Sequence, residues 1–372
     1  MDRIKIAVIG ASTGQIAIYK KAREMGLYII GFAWSKGAVC KDFADKFYDI
    51  SILEMDRIVE LCRKESVAGV VSNASELTSL VVSYVSEKLG LIGIPYNTIL
   101  TIKDKFKVRE LTRHIKDLST IQFMLYTQDS PTIYPCVVKP VTGAGKCGVS
   151  FVKTESEFTK AIEYCTSSSK EKILVEEYIE GREISVESIS FKGKHYVVQI
   201  TDKEGTGAPH FVEIGHHQPS TLSTDIQDRI RTIVPQILEA VNFTNGASHI
   251  ELKIKENGEI YLIEINSRGG GDEISNSLVH LSTDYDYVKA MIDVAIGVFE
   301  KPIVHNTACS GIYFLCKQTE YLKPLFMVED RKWIVERHCN LENLNISTSN
   351  RDRNGFLIYR NSERITLTNY NK

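Results

Sequence analysis

His249-Ile250-Glu251-Leu252-Lys253-Ile254-Lys255 and Ile260-Tyr261-Leu262-Ile263-Glu264-Ile265-Asn266-Ser267-Arg268 are two alternating runs separated by Glu256-Asn257-Gly258-Glu259. Apolar–polar alternation is the signature of a strand buried on one face, and Asn-Gly is the strongest short hairpin turn. With Asn257-Gly258 as the loop, Glu251 lies directly opposite Glu264. Ile250, Leu252 and Ile254 then share a core face with Tyr261, Ile263 and Ile265, while Asn266 and Arg268 follow Glu264 on the polar face. Two carboxylates placed cross-strand repel, and a cation between them reverses the sign. Glu251, Glu264 and the amide oxygen of Asn266 are hard donors suited to Mg²⁺ shared with phosphates. Arg268 would stabilise charge on a transferring phosphoryl group. The alternative is a solvated polar face on which Lys253 and Arg268 compensate the acids; the apolar flanks and Gly269-Gly270-Gly271 argue for the metal.

Upstream, Lys139-Pro140-Val141-Thr142-Gly143-Ala144-Gly145-Lys146-Cys147-Gly148-Val149 reads as a glycine-rich hairpin between two strands. Gly143, Gly145 and Gly148 let the backbone approach an anionic ligand, and Lys139 and Lys146 supply charge for phosphate oxygens. It is not a Walker loop, because the G-x-x-x-x-G-K-[ST] order is missing and a strand follows. A third element, Leu174-Val175-Glu176-Glu177-Tyr178-Ile179-Glu180-Gly181-Arg182-Glu183, is a strand running into a turn. Its end offers main-chain groups of the kind an adenine edge needs, with an acid close behind for ribose hydroxyls.

The first hundred residues have a different texture. A strand at 4–9 leads through Gly10-Ala11-Ser12-Thr13-Gly14 into a helix ending near Met25, and a second strand runs from Leu27 to Ala33. A helix at Asp56–Lys64, a strand at Val67–Val71, a helix at Ala74–Leu89 and a short strand at Leu91–Ile94 continue the alternation, which predicts a parallel α/β sheet. The Gly10–Gly14 turn invites a dinucleotide reading. It lacks the full G-x-G-x-x-G spacing and a convincing acid after the second strand, and a tight strand-to-helix turn needs glycine anyway. Beyond residue 101 a charged helix (Lys103 to His114) and strands no longer in strict alternation predict an α+β arrangement. The last seventy residues read as a small β-containing lobe.

The chain has 372 residues, 45 basic against 47 acidic side chains and a net charge of −2, so it lacks the basic bias of a nucleic-acid binder. It has no run of eighteen apolar residues that would span a membrane. The eight cysteines are scattered without a CxxC pair, which predicts reduced thiols and a cytoplasmic setting.

Taken in order, these elements resemble the ATP-grasp superfamily, near the branch holding biotin carboxylase, carbamoyl-phosphate synthetase and amino-acid ligases. The resemblance covers roughly residues 1–300. It implies an α/β and α+β ATP-grasp fold: a Rossmann-like domain over 1–100, the grasp over 101–304 with a mobile lid at about 135–190, and a C-terminal lobe over 305–372. By that likeness Lys105 and Lys139 hold ATP phosphates, with Gly143, Gly145, Lys146 and Gly148 closing over them. Backbone groups of Glu176 and Ile179, with Glu177 between them, meet adenine, Glu183 binds ribose, and His210 faces the triphosphate. Glu251, Glu264 and Asn266 ligate one or two Mg²⁺ ions, or Mn²⁺, while Arg268 and Lys139 act in catalysis. The implied chemistry is attack of a carboxylate on the γ-phosphate of ATP, giving an acyl phosphate that an amine captures. Main-chain N–H groups of Gly269–Gly271 would receive a carboxylate, and Asp272 or Glu273 an ammonium group. Small-molecule substrates, no nucleic acid, no membrane and a possible homodimer complete the expectation. A bicarbonate-using carboxylase or carbamoyl-phosphate-type subunit, a non-catalytic nucleotide-binding module and, last, an NAD oxidoreductase are the competing readings.

Overall fold

Three sheets appear in the computed structural model, which describes residues 3–73, 75–127, 133–143, 145, 147–208, 210–329 and 331–369. The first is parallel, from β1 (Lys5–Ile9), β2 (Tyr28–Ala33), β3 (Lys46–Asp49) and β4 (Gly69–Val71), in the order β3-β2-β1-β4. Apart from the edge strand β3, its strands are largely apolar runs, because helices Ile16–Glu24, Met55–Glu65 and Glu76–Leu89 leave few of their positions open to water. Leu91–Ile94, expected as a strand, pairs with none; it is a short turn whose Ile92 and Ile94 fill gaps between neighbouring elements. The Gly10–Gly14 turn is closed on itself: Gln15 Oε1 accepts from the Ser12 backbone N–H (3.0 Å), and Gln15 Nε2 donates to the Asn73 carbonyl (2.6 Å).

The second sheet is antiparallel: β5 (Phe123–Leu125), β6 (Cys136–Pro140), β7 (Ser150–Val152) and β8 (Ile173–Glu177), ordered β5-β8-β6-β7. Ala161 and Cys165 of helix Glu155–Ser168 pack on it. The charged helix expected over Lys103–His114 is two helices, Tyr96–Lys103 and Lys105–Thr112. Asp104 interrupts them with extended backbone and caps the second by accepting from the Lys107 N–H.

The third sheet has eight strands: β9 (Arg182–Phe191), β10 (Lys194–Gly205), β11 (Glu213–Gln218), β12 (Gly246–Ile254), β13 (Ile260–Asn266), β14 (Cys309–Leu315), β15 (Ile334–Cys339) and β16 (Gly355–Asn361), in the order β13-β12-β9-β10-β11-β14-β16-β15. The strands of the final segment therefore extend the same sheet as the alternating hairpin. One face of β9, β10, β12 and β13 buries Ile184, Val186, Ile200, Ile250, Leu252, Ile254 and Ile260. These pack against Ile230, Ile233, Val234, Ile237 and Leu238 of helix Thr224–Ala240. The other face carries Glu183, Ser185, Glu187, Lys203 and Glu251, and turns apolar where Ile189, Val198 and Ala247 pack into the N-terminal core.

The β12–β13 hairpin departs from expectation in an informative way. Lys255 N–H bonds to the Glu259 carbonyl and Gly258 N–H to the Lys255 carbonyl, so the loop spans residues 256–258, with Gly258 at φ +83° in the left-handed region. This longer loop shifts the register by one: Ile254 pairs with Ile260 and Leu252 with Leu262. A bulge at Ile263 then shifts it back, and Glu251 faces Glu264 after all. Leu262 joins the core in place of Ile263, and Tyr261 packs with Ile121 and Ile179 on the opposite side. The expectation that Tyr261 and Ile263 share the core face with Ile250 is therefore corrected.

Candidate functional site

Charged side chains form a row across five adjacent strands of the large sheet. Register places His216 of β11 opposite Lys203 of β10, Ser185 of β9 opposite Glu251 of β12, and Glu251 opposite Glu264 of β13. Lys203 is the hub: its Nζ lies 2.8 Å from Glu251 Oε1, 2.8 Å from Glu213 Oε1 and 3.3 Å from Glu183 Oε1. Burial works against the ammonium, yet the three carboxylates hold its pKa well above the usual lysine range. Glu251, which burial would push up, is held below the usual carboxylate range by Lys203 and His249. His249 bridges Glu187 (Nδ1–Oε1 2.5 Å) and Glu251 (Nε2–Oε1 3.2 Å). Burial alone would lower its pKa; the two acids lift it to about 9.

At the end of the row, Lys105, Gly143, Glu264 and Asn266 line one small cleft together with Glu76 and Lys103. Lys105 Nζ sits 3.6 Å from Glu264 Oε1 and donates to the Gly143 carbonyl (2.9 Å), while its backbone N–H bonds to the Val141 carbonyl (3.0 Å). The loop between β6 and β7 is thus tied to Lys105 at two points. Glu76, from the N-terminal sheet's helix, has its pKa raised by burial and then by Glu264. Arg268 donates to the Gly269 carbonyl at 2.9 Å and lies 3.5 Å from Asn266 Oδ1.

Behind these groups lies a buried trio. Glu176 accepts from Arg109 Nε (2.8 Å) and lies 2.5 Å from Lys139 Nζ, and Arg109 also donates to the carbonyl of Ile263 at 2.9 Å. The acceptor is the bulged residue of β13, so the same irregularity that restores the Glu251–Glu264 register supplies an anchor for Arg109. Burial would raise the Glu176 pKa, but two cations bring it down to about 2. Lys139, which shares that one carboxylate with Arg109, is pushed down by its burial. Glu176 was expected to offer backbone groups to an adenine edge. It instead lies mid-strand, with ladder partners Phe123 and Val137 on either side, and works through its side chain.

Other expected residues scatter. Glu177 donates its N–H to the Gln122 carbonyl, and the Ile179 carbonyl accepts from Lys253 Nζ (3.1 Å). Glu183 and Lys203 line a cleft of about 250 Å³ with Tyr178, Phe211 and Lys253. Tyr178 and Phe151 are in ring contact at 4.4 Å. His210 is exposed in the β10–β11 connection, next to Phe211 of that cleft. Gly143 and Gly145 are exposed in the β6–β7 loop, whereas Gly148 is buried against Pro140 and Ser168. Lys146 lies outside the described residues.

The glycine run also differs from expectation. Gly270 N–H is taken by Glu187 Oε2 (2.8 Å), and its carbonyl accepts from Ser275 Oγ (2.7 Å). Asp272 is gripped by both terminal nitrogens of Arg353 (2.8 and 2.7 Å). Glu213, His216 and Asp272 place ligand-type atoms within 4.8 Å of one another, but Lys203 and Arg353 already neutralise these acids. Glu273 accepts from Ser277. Sequence reasoning missed Lys203, Glu187, His249, Glu213 and Arg109. Only Arg109 had a local signal, one helical turn after Lys105.

Oxygen donors from Glu251, Glu264 and Asn266 on one sheet face fit a hard divalent cation. Each carboxylate already leans on a lysine, which shows a site built to hold concentrated negative charge against positive charge. Lys103, Lys105 and Gly143 of the glycine-rich loop border the same cleft, chemistry of the kind that suits phosphate oxygens.

Residues 132–277 match the family model described as the ATP-grasp domain. The chain resembles alanine–anticapsin ligase of Bacillus subtilis, 28% identical over 248 residues, covering 58% of this chain and 52% of that one. It thus spans about half the length of that relative. Among solved structures, the L-amino acid ligase of Bacillus licheniformis superposes with a TM-score of 0.80 at 21% identity, covering 98% of this chain and 95% of that one. The biotin carboxylase domain of Hydrogenobacter thermophilus 2-oxoglutarate carboxylase, solved with MgADP and bicarbonate, gives 0.74 at 17% identity, covering 97% and 87%. The chain has the ATP-grasp fold, and its residues 132–277 are an ATP-grasp domain. Among the described residues no helix is long and apolar enough to cross a membrane.

Proposed function

We propose that the chain is an ATP- and Mg²⁺-dependent ligase that joins a carboxylate to an amine through an acyl phosphate, releasing ADP and phosphate. The observation that carries this reading is the cross-strand pair Glu251–Glu264 with Asn266 and Arg268 following on the same strand, Glu264 and Asn266 sharing one cleft with Lys105. In this reading Glu251, Glu264 and Asn266 hold the cation, which neutralises phosphate charge when bound. Lys105 and Lys139 bind phosphate oxygens, and the β6–β7 loop, tied to Lys105, covers them. Tyr178, Ile179 and Glu183 border the nucleoside end.

A substrate carboxylate oxygen forms its bond to the γ-phosphorus as the bond to the β-phosphate bridging oxygen breaks. The neutral amine then attacks the acyl carbon, inorganic phosphate leaves with the electron pair of the broken C–O bond, and the nitrogen gives up one proton to the departing phosphate. This chain's work is positioning and charge stabilisation, with Arg268 beside the oxygens that gain charge. No protein nucleophile is required.

ADP and phosphate release from ATP and Mg²⁺ tests the reading, using pooled carboxylates and amines, a separate bicarbonate reaction and the Glu264→Ala chain as blank. Turnover that requires both a carboxylate and an amine supports a ligase. Turnover with bicarbonate alone replaces it with a carboxylase-type reaction.

A further inference from the structure

Glu187 is fully buried on β9 and holds two elements at once. One oxygen lies 2.5 Å from His249 Nδ1, and the other accepts from Gly270 N–H at 2.8 Å. His249 continues the chain of bonds to Glu251. The contacts are close on every side: a Cβ on Gly270 would lie 2.8 Å from both Glu187 Oε1 and His249 Nδ1. Ser275 Oγ, which donates to the Gly270 carbonyl, also accepts from Asn73 Nδ2 at 3.1 Å, so the glycine run is fastened to the N-terminal sheet as well. Neither Glu187 nor His249 faces the cleft, and a buried acid with no such task would be costly to retain.

From this geometry we propose that Glu187 and His249 are positioning residues that couple Glu251 to the glycine run 269–271. A cation drawn to Glu251 shifts that carboxylate's share of His249, and His249 shifts its grip on Glu187, which sets the place of the Gly270 backbone. Metal binding and the shape of the substrate end are then one event. The inference rests on Glu251 being a metal carboxylate, as proposed above.

The full chain is tested with Mn²⁺ and ADP as probes. Mn²⁺ uptake in the presence of ADP is followed by the EPR signal of the free ion, and ADP binding in EDTA by calorimetry. Amide hydrogen exchange over residues 268–272 is measured with and without Mn²⁺ and ADP. Glu187→Gln keeps an acceptor for Gly270 but carries no charge to hold the imidazole ring. Mn²⁺ affinity is expected to fall roughly tenfold, the scale for removing a residue that orients a metal ligand. ADP affinity in EDTA stays unchanged, and the Mn²⁺-induced slowing of exchange over 268–272 disappears. His249→Gln breaks the chain at its middle and serves if the first variant folds poorly. Ser248→Ala, a buried neighbour off the chain of bonds, keeps wild-type behaviour. Folded Glu187→Gln or His249→Gln protein with wild-type Mn²⁺ affinity and intact protection overturns the coupling alone. A wild-type chain that binds ADP but takes up no Mn²⁺ overturns the functional reading and this inference with it.

Discussion

Glu176→Gln is the sharpest test of how the phosphate side of the cleft is held. The change is isosteric and removes one charge, leaving Arg109 and Lys139 buried together with no acid between them. Glu176 has its pKa lowered from 4.5 to about 2 on folding. At 1.36 kcal/mol per unit, that depression corresponds to about 3 kcal/mol of stability at neutral pH, an order-of-magnitude figure. The sign follows from the depressed value. The contribution is complete above the unfolded pKa of about 4.5 and drains away as pH falls through about 2. Urea unfolding followed by circular dichroism at pH 7 should show the variant less stable by that amount. At pH 3.5 the gap should narrow to roughly 2 kcal/mol, because the unfolded acid is then largely protonated. An ADP titration on the folded variant should also weaken, since Lys139 loses the group that aims it. A wild-type urea midpoint at pH 7 would refute the claim that Glu176 is what makes two buried cations tolerable here.

Three further outcomes follow from the same geometry. Arg268→Lys keeps the charge but loses the planar fork, and kcat should fall by about 10²-fold with ADP affinity retained, measured by coupled ADP release and calorimetry. Lys203→Met leaves Glu183, Glu213 and Glu251 without their shared cation and should cost about 3–5 kcal/mol in chemical denaturation. Cys147 is the one exposed thiol of eight, so a thiol-reactive dye should label one equivalent quickly. Cys309 and Cys339 are half-buried with thiol pKa values raised by burial and should follow slowly; equal rates would contradict the burial pattern.

Much of the site could be read in the sequence because its ligands sit on one hairpin, where a period of two fixes the face of every side chain. Even there, two local irregularities cancelled at Glu251 but not at Tyr261 and Ile263, since neither a longer loop nor a bulge is dictated by alternation. The partners Lys203, Glu187 and Glu213 were out of reach for another reason. Strand register between distant segments creates their meeting, and nothing in Ile200-Thr201-Asp202-Lys203-Glu204 marks Lys203 as a hub. The division of Lys103–His114 into two helices could have been anticipated, because Asp104 is a good N-cap placed mid-run. The glycine run misled in the opposite direction: its glycines make room for Glu187 and His249 as much as for any ligand.

The place of β14 has a consequence for how the chain can be shortened. It pairs along Gly215–Gln218 of β11 on one side and along the whole of β16 on the other. A chain cut before residue 309 would bare the ladder groups of β11 and uncover Ile274 and Leu278, which pack on Ile312 and Phe314. Such an open, partly apolar edge is a template for other strands, so the product would stick to copies of itself rather than survive as a smaller soluble unit. The final segment is thus a seal on the eight-stranded sheet, and deletions meant to isolate the grasp would report aggregation where they were designed to report function.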